Sequence, residues 1–125
     1  MPHVVFRSPL DLEDIGEHFV PQSWQGDAAQ GRFLDVLRSG RSGNLLVDAY
    51  VSEEPMSQRV AFVLRPRRGK AGEFIVGLHE LGFPRPTSGI HQALAAFMRW
   101  LVDLHEGIEI VESNLQDSVV TLQEA

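Results

Sequence analysis

Between Gly89 and His105 the chain reads "GIHQALAAFMRWLVDLH", a segment that constrains everything around it. Stepped at about 100° per residue, it places Ile90, Leu94, Phe97, Met98, Trp100, Leu101, Val102 and Leu104 over more than half of a helix circumference. Gln92, Arg99, Asp103 and Glu106 gather on the narrow remainder, and Gly107 closes the segment. A helix with so wide an apolar face needs cover on more than one side. A sheet supplies one side. The other is expected from two earlier helices or from a second copy of the chain.

The sheet is expected from four or five segments. "HVVFR" (3–7) is a short β-type run, and "NLLVDAYV" (44–51), "QRVAFVLR" (58–65) and "EFIVGLH" (73–79) are rich in Val, Leu and Phe. The turn-forming clusters "SEEPMS" and "PRRGKAG" separate the last three, which makes an antiparallel meander the natural arrangement. "IEIVES" (108–113) alternates apolar and acidic residues, as a half-exposed strand does. Residues 115–123 fit either type: Leu115, Val119 and Leu122 have helical spacing, whereas "SVVTL" has strand propensity.

Two further helices are expected upstream. Ser8 and Pro9 suit a cap and a first helical position, and Leu12, Ile15 and Phe19 then form a stripe that ends at Pro21. "PQSWQG" (21–26) reads as a loop exposing Trp24, followed by a helix from about Ala28 to Ser39 with Ala29, Phe33, Val36 and Leu37 on one face. The expected fold is therefore a single α+β domain over residues 1–125. It has an antiparallel sheet of about four to five strands, helices packed on one face, and the order β-α-α-β-β-β-α-β with an open last element.

Composition narrows the chemistry. A chain of 125 residues with 43% apolar and 22% charged residues builds an ordinary core. The absence of cysteine removes disulfides, thiolate metal sites and cysteine nucleophiles, and it suits a reducing compartment. The start, "MPHVVFRSPLDLED", has no basic-then-apolar signal, and no apolar run approaches the ~20 residues that span a bilayer. The expected location is cytoplasmic, with no membrane partner. Seventeen acids against eleven bases give a net charge of −6, which argues against broad nucleic-acid binding. One basic tip stands out at Arg65, Arg67, Arg68 and Lys70, where a phosphate backbone or an acidic surface could dock. Positive charge there also discourages edge-to-edge sheet pairing.

The corner "GLHELGFPRPTSGIHQAL" (77–94) carries the other candidate site. Thr87, Ser88 and Gly89 open the long helix with unpaired N–H groups, and Arg85 sits two residues earlier, a combination that attracts anions. The simpler role of Thr87 or Ser88 is to cap the helix. His79 and His91 flank the same corner as candidate proton carriers for an anionic ligand. They are also the one pair to consider for a metal, with Glu80, His3 or His18 as a third ligand. No spacing matches a known metal motif, so no metal is expected. No Gly-rich phosphate loop, dinucleotide fingerprint or nucleophile elbow occurs, so neither a cofactor nor a catalytic residue is assigned. The expected function is that of a non-enzymatic interaction or adaptor protein, homodimeric and binding another protein, with Trp24 and Tyr50 as interface anchors. The alternatives are a small-molecule (anion) binding protein or an enzyme with its site at the 79–91 corner, and nucleic-acid binding through the basic tip at 65–70.

Overall fold

The computed structural model of the chain describes residues 2–79, 87–116 and 120–123. These form eight strands and two helices: β1 (His3–Arg7), α1 (Leu12–His18), β2 (Gln22–Gly26), β3 (Gln30–Arg38), β4 (Leu45–Glu53), β5 (Met56–Pro66), β6 (Glu73–Leu78), α2 (Ser88–Leu104), β7 (Glu109–Ser113) and β8 (Val120–Gln123). All strands join one antiparallel sheet in the order β7-β1-β6-β5-β4-β3-β2-β8, curled into a half-barrel. The expected smaller sheet with helices packed on one face is therefore incorrect. The curl wraps α2 instead of presenting a flat surface to it.

Two misassigned segments account for most of the difference. The segment from Ala28 to Ser39, expected as a helix, is strand β3. Its pairing with β4 matches Phe33 with Ala49 and then Asp35 with Asp48, leaving Leu34 as an extra residue in a bulge. Phe33 and Val36 consequently both face inward, three positions apart, and the bulge imitates the spacing of a helix. "PQSWQG", expected as a loop, contributes β2. Its Trp24 faces the core, only 1% exposed, beside Gly31 of β3. The tail, left open between helix and strand, adds β8 alongside β2.

The core fills the space between the curl and α2. Inward residues alternate along β4 and β5 as Leu45, Val47, Ala49, Val51 and Val60, Phe62, Leu64, all nearly inaccessible. Opposite them, α2 is buried from Ile90 and Ala93 through Phe97 to Leu101, over roughly two thirds of its circumference. Phe33 and Phe97 meet edge-to-face at 5.5 Å, and Phe19, just past α1, meets Trp100 at 5.8 Å. Most of the wide apolar face of α2 is thus covered by its own chain, with Val102 left 38% exposed. No helix among the described residues is long and apolar enough to cross a membrane.

Capping also differs from expectation at α1. Asp11, not Ser8, is its N-cap, accepting from the Asp14 N–H at 2.9 Å. Ser8 is buried, and its hydroxyl both accepts from the Leu10 N–H and donates to the Leu10 carbonyl.

Candidate functional site

At the corner before α2, Thr87 is the N-cap, its hydroxyl oxygen accepting from the Ile90 N–H at 3.4 Å. The Gly89 N–H donates to Glu53 Oε1 at 3.2 Å. The end of β4 therefore delivers a carboxylate to the place where a free anion was expected. Ser88 donates its hydroxyl to Gln116 Oε1 at 3.4 Å, and His91 Nδ1 accepts the Gln116 N–H at 3.1 Å. These contacts tie the first turn of α2 to the segment after β7. Arg85 and Glu80 lie outside the described residues. His79 belongs to another neighbourhood, following β6 with its backbone N–H on the Ala61 carbonyl at 2.8 Å. Among the described residues, no three His, Asp or Glu side chains group to hold a metal ion.

The four bases of the β5–β6 hairpin serve different purposes. Arg67 donates to Glu73 at 3.1 Å and to Glu112 at 3.2 Å, stitching the turn to β7. Arg68 and Lys70 project into solvent around Gly69, whose φ of 77° makes the turn. Arg65 is exposed on the outer face of β5, away from the tip.

That outer face holds an unexpected feature, an open trough of about 810 Å³. Strand register explains its floor. Leu46, Val63, Gly77 and His3 are successive partners across β4, β5, β6 and β1, a row spanning ~14 Å at the usual strand spacing. The adjacent row places Arg65 beside Ile75. Gly77 has no side chain, so the centre of the row stays low between Val63 and His3. The β3–β4 turn closes one end with Ser39, Ser42 and Asn44. That turn is held from within: the Ser39 N–H reaches the Asn44 carbonyl at 2.9 Å, and the Asn44 N–H reaches Ser42 Oγ at 3.2 Å. His79 contributes to the wall as well. One sequence signal pointed here. "LLV" (45–47), "AFVL" (61–64) and "FIV" (74–76) are apolar at consecutive positions, which puts apolar residues on both faces of an antiparallel sheet.

A second depression, of about 610 Å³, opens where the half-barrel does not close. Ala95, Met98 and Val102 of α2 form one side, with Ile110 of β7 and Val120 of β8 at the two sheet ends. β7 is exposed at all five residues, Ile110 at 49% and Val111 at 38%, and Val102 beside it at 38%. Its pairing with β1 skips Val111, which bulges between Ile110 and Glu112. Trp24 is buried and anchors no interface, whereas Tyr50 is 42% exposed on the outer face.

No protein-family model, curated protein or solved structure matches the chain.

Proposed function

We propose that the chain is a non-catalytic interaction domain of the cytoplasm that pairs with a second copy of itself through the open edge of β7, and that the pair acts as an adaptor or regulator of another protein. A chain without cysteine is suited to that reducing setting. The observation that carries the reading is a terminal strand exposed along its whole length beside the apolar groove of α2. An exposed edge strand presents unpaired N–H and C=O groups that can pair with another strand.

Charge would normally oppose it, but Glu109 is paired with Arg7 at 3.1 Å and Glu112 with Arg67 at 3.2 Å. Sequence symmetry favours a two-fold pairing centred on Val111. Glu109 then faces Ser113 of the other copy, Ile110 faces Glu112, and Val111 faces Val111. All five residues find a partner and no glutamate opposes another; a shift that sets Ile110 against Val111 brings Glu109 against Glu112.

Sedimentation at high micromolar concentration tests the reading. The wild type is expected as a dimer. Val111→Lys, which sets like charges against each other on the axis, is expected as a folded monomer. A strictly monomeric wild type, or a dimer untouched by Val111→Lys, overturns it.

A further inference from the structure

We infer that the outer trough is a binding site for a small amphiphilic carboxylate, an anionic head on an apolar body. The trough is independent of the β7 edge. Three observations converge on this class of ligand.

The first is charge. The protein carries a net charge of −6, yet no carboxylate occurs among the described residues lining the trough. Among those described lining residues the one permanent charge is the guanidinium of Arg65. A concave region whose described lining carries a cation and no acid, on a protein that is acidic overall, is a local attractor for anions.

The second is the state of Arg65 itself. The other strand arginines are engaged: Arg7 with Glu109, Arg32 with Ser23, Arg38 with Glu13, and Arg59 with Asp48. Arg65 makes no ion pair among the described residues, so its planar fork is open to a bidentate carboxylate.

The third is the floor. Leu46, Val63 and Ile75 project from adjacent strands on the solvent side, apolar surface that a bare inorganic anion would leave wet. Gly77 leaves room at the centre for an alkyl or aryl body, and the volume of about 810 Å³ falls in the range of small-molecule sites. The hydroxyls of Ser39 and Ser42 and the amide of Asn44, at the end of the trough, add polar groups that can orient a head group.

Octanoate is the probe, with octanol and inorganic phosphate as its separated halves, titrated by calorimetry and by amide chemical shifts. Octanoate is expected to bind saturably, one per chain, with shifts at Val63, Ile75 and Gly77. Octanol and phosphate are each expected to bind at least about tenfold more weakly, since each lacks one of the two interactions. Arg65→Gln is expected to weaken octanoate by about tenfold or more while the thermal melt stays unchanged, because Arg65 is exposed. Gly77→Val provides a second variant that keeps the charge and fills the floor. A Cβ at position 77 meets only ordinary contacts at 3.5 and 3.7 Å, so this variant is expected to fold and to lose octanoate binding. Absence of saturable octanoate binding, equal binding of octanol or phosphate, or indifference to both substitutions overturns the inference.

Discussion

Glu53 accepts the N–H of Gly89 at 3.2 Å, so the tip of the β4–β5 hairpin supplies the negative charge that the first turn of α2 attracts. The two residues are 36 apart in sequence and join the sheet to the principal helix. Geometry makes the contact close: a Cβ on Gly89 would fall 3.0 Å from the Glu53 carboxyl carbon. Glycine is needed there for approach, not for an unusual backbone angle.

Glu53→Ala removes both the acceptor and the charge and is expected to cost about 1 kcal/mol, the ordinary worth of a helix cap with its dipole interaction. Glu53→Gln retains an acceptor and is expected to cost roughly half as much. Urea unfolding of the two variants measures the difference. Equal stability of both with the wild type would show that Thr87 alone caps α2.

Gly31 and Trp24 form a second glycine-dependent contact. A Cβ at Gly31 would lie 2.8 Å from Trp24 Cζ2 and collide with the carbonyl oxygen of Tyr50. Backbone on one side and a fully buried indole on the other leave neither neighbour free to yield. Gly31→Ala is therefore expected to destabilise by about 1–3 kcal/mol, as overpacking does, despite alanine's better propensity for ordered structure. Thermal unfolding checks the sign: an unchanged or raised midpoint would contradict this packing.

How much of this was legible beforehand depends on the range of the interaction involved. β1, β4, β5, β6 and α2 announced themselves because each is a run rich in apolar residues bounded by turn residues, a local property. β3 did not, because its inward residues Phe33 and Val36 are set three apart by a bulge, and a bulge is decided by the partner strand β4. β2 was missed for a related reason: Trp24 looks like a lone exposed aromatic until Gly31 is paired with it. At the site, a cap at Thr87 or Ser88 was readable from position alone, and the structure places it at Thr87. The carboxylate that joins it was not, since nothing near Gly89 in sequence points to Glu53. The trough was least legible. Its floor exists only through the register of four strands, which aligns Leu46, Val63, Gly77 and His3 although they come from four separate segments.

Arg59 and Asp48 make a bidentate pair on the outer face, with Nε to Oδ1 at 3.0 Å and Nη2 to Oδ2 at 2.6 Å. The hydrogen bond to Asp48, and next its charge, raise the Arg59 guanidinium above its already high ordinary value. A raised cation contributes stability wherever pH lies below its unfolded value and loses it only as pH climbs through the folded one. Both values lie far above the working range. The raised guanidinium is therefore expected to add no slope to stability between roughly pH 6 and 9. Arg59→Gln should leave that slope unchanged, and any small loss at low salt should vanish at high salt, because the arginine is exposed. A variant whose pH slope differed from the wild type's would contradict this.

Gln92 is the polar residue most dependent on its surroundings. It is 4% exposed on α2, where its Nε2 donates to Asp27 Oδ1 and its Oε1 accepts the Ala28 N–H at 3.2 Å. One side-chain amide thus secures the turn between β2 and β3 against the helix. Gly26 is required alongside, since a Cβ there would lie 2.7 Å from the Gln92 amide carbon. Gln92→Leu preserves volume but leaves the Asp27 carboxylate and the Ala28 N–H without this partner, at an expected cost of about 1–3 kcal/mol. Gln92→Glu keeps an acceptor for Ala28 but sets a second carboxylate against Asp27, so its loss should shrink as pH falls and either acid is protonated. Urea unfolding of both variants at neutral and mildly acidic pH tests the arrangement. The loss for Gln92→Leu should persist at both pH values, while that for Gln92→Glu should be partly recovered in acid. The same loss at both pH values in Gln92→Glu would mean that Asp27 does not face residue 92 in solution.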